Sequence, residues 1–92
     1  MKVWTVQQCA DDGGSEEISV FSSREKVYDF IYHELEFERD NEKEGRPEFA
    51  ESFDIRFETY VNGLDEAFNS NKKTFSVNAF YCWWNVQETE VI

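Results

Sequence analysis

The chain is 92 residues long, and its nine Lys and Arg against twenty Asp and Glu give a net charge of −11. A domain of this size hides only about 60–65% of the surface that its unfolded chain exposes, and an aromatic content of 17% predicts that large rings fill its small core. The excess of carboxylates disfavours direct binding to nucleic acid or an anionic membrane and favours basic partners. We expect one domain over residues 1–92.

The first elements predict a β-hairpin. Residues 3–9 (VWTVQQC) and residues 18–21 (ISVF) are rich in β-branched and aromatic side chains. Residues 11–15 (DDGGS) lie between them and have the composition of a turn.

A helix is predicted after the hairpin. Ser22 and Glu25 match a capping box, in which the serine hydroxyl accepts from the backbone N–H of the glutamate. At 100° per residue, four apolar side chains then share one face: Val27, Phe30, Ile31 and Leu35. The amphipathic part ends near Phe37, and Gly45 and Pro47 are stop signals.

The apolar period changes after the proline. In residues 53–61 apolar and polar side chains alternate, which predicts a strand with one buried face, and Asn62 and Gly63 predict a turn followed by a short helical turn. Residues 74–86 (TFSVNAFYCWWNV) predict a last strand. The elements together predict an α+β fold, with an antiparallel sheet of about four strands in ββαββ order and one long helix packed on one face.

The second half of the last strand is apolar on both sides. Phe80, Cys82 and Trp84 are expected to point away from the core set of that strand. The strand is therefore either central and covered on both faces, or part of an exposed apolar patch that meets a partner or a second copy in a homodimer.

Residues 34–51 (ELEFERDNEKEGRPEFAE) concentrate acidic side chains. On a helix that continues to about residue 44 they form two stripes with a spacing of about 6 Å, close to the spacing of phosphates along a nucleic-acid strand. Glu34 and Glu38 project near the apolar face, so this part of the helix is expected to overhang into solvent. The candidate partner-binding residues are the stripes Glu34, Glu38, Glu42 and Glu36, Asp40, Glu44, with Tyr28 and Tyr32 nearby.

Two other interpretations of the acidic stretch compete with a phosphate-imitating surface. Residues 40–51 place acids and a glycine at the ligand spacing of an EF-hand loop, but Glu at the third and fifth positions, Arg46 with Pro47, and a strand after the loop weigh against calcium. An acidic helix end that serves only for solubility is the other alternative.

The sequence gives little support for catalysis, metals or cofactors. His33 is the single histidine, and no catalytic triad or phosphate-binding glycine loop accompanies it. Cys9 and Cys82 lack a CxxC spacing and are expected to be buried thiols. Because no catalytic arrangement is found, we expect that the protein is not an enzyme. Because no apolar stretch matches a signal peptide or a membrane span, we expect it to be cytoplasmic.

The order of elements resembles a type of protein. The opening MKVWTV, the hairpin, FSSREKVYDFI as strand and capped helix, and the acidic stretch resemble the small acidic inhibitors that phages encode, among them anti-CRISPR and anti-restriction proteins. The resemblance implies an inhibitor that blocks a basic nucleic-acid-binding protein of a bacterial host, by DNA mimicry, in the host cytoplasm. The alternative is an immunity or assembly protein that binds through the apolar aromatic surface of the last strand.

Overall fold

The computed structural model describes residues 1–10, 17–80 and 82–91, so the predicted turn at residues 11–15 lies outside the described residues. The described residues form four strands and two long helices joined by a 3₁₀ turn. In chain order these are β1 (Lys2–Ala10), β2 (Glu17–Phe21), α1 (Arg24–Gly45), the 3₁₀ turn (Pro47–Phe49), α2 (Ala50–Asn69), β3 (Thr74–Asn78) and β4 (Cys82–Glu90).

The sheet consists of two antiparallel hairpins side by side. Its strand order is β2-β1-β4-β3, and the two nine-residue strands β1 and β4 pair at its centre, from Lys2 opposite Glu90 to Ala10 opposite Cys82. The predicted four-stranded antiparallel sheet with a long helix is confirmed. The ββαββ order with one helix is wrong, because two helices separate the hairpins.

The second helix occupies the segment predicted as a strand and a turn. In α2, Phe53, Phe57 and Leu64 are buried, a spacing of four and seven residues that follows the helical period. Thr59 is exposed, and its hydroxyl donates to the carbonyl of Ile55 at 3.1 Å, as a helical threonine does. The alternation in residues 53–61 therefore arises because an exposed isoleucine and threonine fall between the helical core positions.

The predicted last strand is two strands. The chain leaves β3 at Asn78 and turns back into β4 at Cys82, and the backbone N–H of Ala79 donates to the carbonyl of Cys82 at 2.9 Å. Because this turn interrupts the alternation, the side chains of β4 do not continue the inward pattern of β3. Cys82, Trp84 and Val86 point into the core.

The two helices cover one face of the sheet. The predicted helix face is confirmed for Val27, Ile31 and Leu35, which are fully buried, while Phe30 is half-buried against Phe21 of β2. From the sheet, the core receives Trp4, Val6, Val77, Trp84 and Val86. The helix N-cap is Ser23 rather than Ser22, because its hydroxyl accepts from the backbone N–H of Lys26. None of the described helices is long and apolar enough to cross a membrane.

Gly63 provides a test of the second helix. It lies inside α2, is exposed, and has open space where a Cβ would stand. Gly63→Ala should therefore raise the free energy of unfolding by roughly 0.5–1 kcal/mol, measured by urea denaturation, because alanine loses less backbone entropy in a helix. If Gly63 were instead in a left-handed turn, the alanine substitution would lower the free energy of unfolding. Gly45→Ala, at the end of α1, is the control and should gain less.

Candidate functional site

All four arginines of the sequence lie over aromatic rings. The carbon at the centre of each guanidinium lies within 6 Å of at least one ring centroid, a geometry in which the cation is attracted to the ring face. The pairs are Arg39 over Phe57 at 4.3 Å, Arg56 over Phe80 at 4.9 Å, Arg46 over Phe53 at 5.4 Å, and Arg24 over Phe68, Trp4 and Phe75 at 5.3, 5.7 and 5.7 Å.

Basic side chains also join the two helices across the seam between them. Arg24 donates to the carbonyls of Ala67 and Ser70, at 3.3 and 2.7 Å, and so holds the end of α2 against the start of α1. Near the other end, the ammonium of Lys43 binds Asp54 at 3.0 Å. These contacts hold the two antiparallel helices together and place Arg24 and Lys43 in the seam between them.

Carboxylates remain on the outer side of the helical layer. Because Val27 and Ile31 point into the core, residues about half a turn away on α1 point outward, and the same argument applies to α2 from Phe53 and Phe57. The side chain of Asp40 is 66% exposed and that of Glu36 is 37% exposed. We call this set the acidic face: Asp29, Glu36, Asp40 and Glu44 on α1, and Glu51 and Glu58 on α2.

The acidic face contains two rows of charge. Because Lys43 lies opposite Asp54 and Tyr28 opposite Asp65, the α1 row runs alongside the α2 row in the reverse direction. Packed helices have axes about 8–10 Å apart, and the step from Asp40 to Glu44 is about 6 Å along the axis. Two parallel rows of anions on a rigid support suit the binding of a basic groove in a protein partner.

Only one of the two predicted stripes is a surface. Glu36, Asp40 and Glu44 lie on the acidic face, where Asp40 also binds Arg39 at 3.1 Å and Glu36 lies 3.3 Å from the imidazole of His33. Glu34 is half-buried, and the side chain of Glu42, which binds Arg46 at 2.6 Å, is only 16% exposed. The stripe of Glu34, Glu38 and Glu42 therefore does not form a free row of charge.

The prediction that the helix overhangs into solvent is wrong at Glu38. Its carboxylate turns towards the sheet, where it accepts from the backbone N–H of Phe80 at 3.4 Å and from the thiol of Cys82 at 3.5 Å. Burial raises the pKa of Glu38, although these two hydrogen bonds oppose the rise. The pKa of Cys82 is raised to about 12, first by burial and then by the Glu38 charge, which keeps the thiol protonated.

Tyr28 and Tyr32 lie in the seam between the helices. The hydroxyl of Tyr28 donates to Asp65 at 2.5 Å, and this hydrogen bond is the main cause that raises the pKa of Tyr28 to about 12. Tyr32 packs edge-on against Phe57, with ring centroids 5.8 Å apart. Both tyrosines are half-buried, so they stiffen the base of the acidic face, and their predicted contact with a partner stays a prediction.

A cleft of about 610 Å³ opens where α1 begins and α2 ends. Its walls carry the guanidinium of Arg24 and the carboxylates of Glu25, Asp29 and Asp65, and its aromatic lining comes from Tyr28 and Phe68. Carboxylates beside aromatic faces suit the head of a lysine or arginine side chain. In this cleft Arg24 is that side chain, since its guanidinium lies 5.3 Å from the centre of the Phe68 ring.

The apolar surface predicted on the last strand is wrong. Phe80, Cys82 and Trp84 are 6%, 8% and 0% exposed, because they point into the core beneath the helices. The prediction also missed Glu51 and Glu58, since their segment was expected to be a linker and a strand. The signal that could have found them is the helical spacing of Phe53, Phe57 and Leu64.

The segment compared with a calcium loop is helical. Residues 40–51 form the end of α1, the 3₁₀ turn and the start of α2, so the side chains do not converge as they do around an EF-hand ion. In the described part of the chain no three His, Cys, Asp or Glu side chains are grouped as metal ligands would be.

Glu38 predicts a pH dependence of stability. A pKa that is raised by folding stabilises the native state below the pKa of the unfolded chain, and this stabilisation is lost as pH rises through the folded pKa. Glu38→Gln removes the charge, so it should be more stable than the wild type at pH 7, with an advantage that shrinks as pH falls towards about 4. Urea denaturation across this range measures the difference.

The matched control is Glu44→Gln, which removes the same charge from an exposed position. If the two variants have the same pH profile relative to the wild type, the effect comes from net charge and the argument for Glu38 fails.

Comparisons with known proteins yield no relative. The chain matches no protein-family model, no curated protein and no solved structure. The functional argument therefore rests on the surfaces described above.

Proposed function

We propose that the protein is an inhibitor that binds a basic, nucleic-acid-binding protein through the acidic face and blocks its nucleic-acid site. The observation that carries this proposal is the separation of charge on the helical layer. Every arginine lies over an aromatic ring, while the carboxylates of the acidic face point outward.

The charge arrangement supports a basic groove as the partner. Repulsion between outward carboxylates four residues apart destabilises a helix by about 0.2–0.5 kcal/mol per pair, and this cost is recovered when a cationic surface covers them. A groove that binds DNA or RNA offers rows of Lys and Arg set to meet rows of phosphates. The two rows of the acidic face offer anions to the same side chains.

The rigidity of the helical layer supports the same function. Arg24, Lys43 and the hydrogen bond from Tyr28 to Asp65 fix the two helices to each other. Because the rows are fixed before binding, little conformational entropy is lost when a partner docks. A flexible acidic tail would lose more.

The resemblance to phage-encoded inhibitors of the anti-CRISPR and anti-restriction type suggests what kind of protein the partner is. On that basis we propose that the target is a defence protein of a bacterial host and that the inhibitor acts in the host cytoplasm. No catalytic step is required, since occupying the groove excludes the nucleic acid.

Charge reversal tests the acidic face. The chain is immobilised, incubated with bacterial lysate and washed at low and then high salt, and the retained proteins are identified by mass spectrometry. We expect basic nucleic-acid-binding proteins that elute as salt rises, because screening weakens contacts between exposed charges. Asp40→Lys with Glu44→Lys should reduce their retention by roughly tenfold, since like charges would then meet across the interface.

The matched control is Glu90→Lys on β4, compared with Asp40→Lys alone, since it makes the same change in net charge at an exposed position on the sheet, outside the acidic face. Equal losses in the two variants would show that only total charge matters and would count against a specific face.

Competition with DNA tests the mimicry itself. Duplex DNA added to the loaded resin should release the retained proteins, because both ligands use the same groove. Proteins that stay bound in saturating DNA would be held at another site, and blocking of the nucleic-acid groove would then be ruled out for them.

A further inference from the structure

The face of the sheet opposite the helices carries no charged side chain among the described strand residues. Side chains alternate along each strand, and Trp4, Val6, Trp84 and Val86 point towards the helices, so their neighbours in sequence point the other way. We call these neighbours the open face: Val3, Thr5, Gln7, Cys9, Ile18, Val20, Thr74, Ser76, Asn78, Trp83, Asn85, Gln87 and Thr89. In the whole chain, 32% of residues are charged.

Apolar side chains lie exposed on this face. Ile18 and Val20 of β2 are 65% and 63% exposed, and the neighbouring strands add Val3, Cys9 and Trp83, which are partly exposed. Burial of such side chains gains about 25 cal/mol for each Å² of apolar surface removed from water.

Several polar side chains of the open face form hydrogen bonds within the face. The hydroxyl of Ser76 donates to the side-chain carbonyl of Asn85 at 2.7 Å, and the amide of Asn85 donates to the thiol of Cys9 at 3.6 Å. Thr5 donates to the backbone carbonyl of Gln87 at 3.3 Å. Because these groups already have partners, a covering surface needs to supply few hydrogen bonds to bury them.

Charge points to a second copy of this chain as the covering surface. Two molecules with a net charge of −11 repel each other, and contact through the helical layers would bring carboxylates together. Contact between two open faces brings together no charged side chains of the described strands. A basic partner would gain nothing from charge at this face and would bind the acidic face on the other side.

The size of the open face suits a modest dimer. The four strands contain 9, 5, 5 and 9 residues, and with about 4.8 Å between strands and about 3.3 Å for each residue they give roughly 440 Å² on each copy. Two copies would bury roughly 900 Å², which is the size of a weak, reversible interface. We propose that the protein forms a symmetric homodimer in which two open faces pack sheet against sheet.

Sedimentation equilibrium of the full chain over a concentration series tests the proposal. We expect the wild type to associate from its mass of 11.0 kDa to twice that mass, and to associate more tightly at high salt, because screening reduces the repulsion between two acidic molecules. Binding through the acidic face has the opposite salt dependence. A wild type that stays monomeric at millimolar concentration and high salt overturns the proposal.

Charged variants test the surface. Thr5 lies on a central strand of the open face, so Thr5→Glu and Thr5→Lys should each weaken association by at least about tenfold, while a mixture of the two should associate more tightly than either alone. Glu66→Lys, on the helical layer, should not weaken association. A dimer that Thr5→Glu leaves intact would use a strand edge or the helices and would contradict the proposal.

Two further measurements cover a variant that fails to fold. Val20→Lys changes an exposed residue of an edge strand, where lysine is well tolerated, and should also weaken the dimer. In the wild type, alkylation of Cys9, followed by mass spectrometry, should slow as protein concentration rises through the association range. Rates for Cys9 that do not depend on concentration, in a protein that dimerises, would show that the interface is elsewhere.

Discussion

The contact between arginine and aromatic rings governs how charge is distributed on this protein. Each such contact contributes about 0.5–1 kcal/mol at an exposed site and about 2 kcal/mol when desolvated. Arg24 lies near rings from β1, β3 and α2 at once, so one guanidinium connects both layers of the fold. Two of the arginines also bind a neighbouring carboxylate, Arg39 with Asp40 at 3.1 Å and Arg46 with Glu42 at 2.6 Å.

The consequence is a molecule with two different sides. The helical layer has Arg24 and Lys43 in its seam and the acidic face on its outer surface, while the outer side of the sheet is uncharged in the described strands. The net charge of −11 is therefore distributed unevenly between the two sides of the molecule. Because the sides face in opposite directions, a dimer formed through the sheets would leave both acidic faces free, and two such faces could bind one large partner or two smaller ones with a gain in avidity.

Local signals predicted the first half of the fold and misled in the second half. The N-terminal strand pair and the buried face of α1 are clear in the sequence because a single period fits each of them. In α2, Phe53 and Phe57 fit both a period of two and a period of four, and Asn62 and Gly63 supply turn residues inside a helix. Tertiary packing of Leu64 against the core decides between the two periods, and a local window does not contain that information.

The prediction for the last strand was wrong for a different reason. Alternation predicts the face of each side chain only while the strand is continuous, and the turn between Asn78 and Cys82 breaks it. Trp84 therefore points inward, although the count from Phe75 placed it on the opposite side of the strand. The same error made a buried aromatic cluster look like a binding surface. The uncharged open face could not be predicted in this way, because it is formed by side chains of all four strands and no single segment contains it.

The acidic stripes illustrate the limit of helical periodicity in a functional argument. Both stripes have the same spacing, so the sequence ranks them equally. Which of them becomes a surface depends on how α1 is rotated over the sheet, and that rotation is set by Val27, Ile31 and Leu35. Glu38 lies next to these residues on the helix, and its half-buried carboxylate accepts a hydrogen bond from the turn before β4. The stripe on the opposite side of the helix is free because the apolar residues point the other way, so the packing of the core selects the acids that a partner can reach.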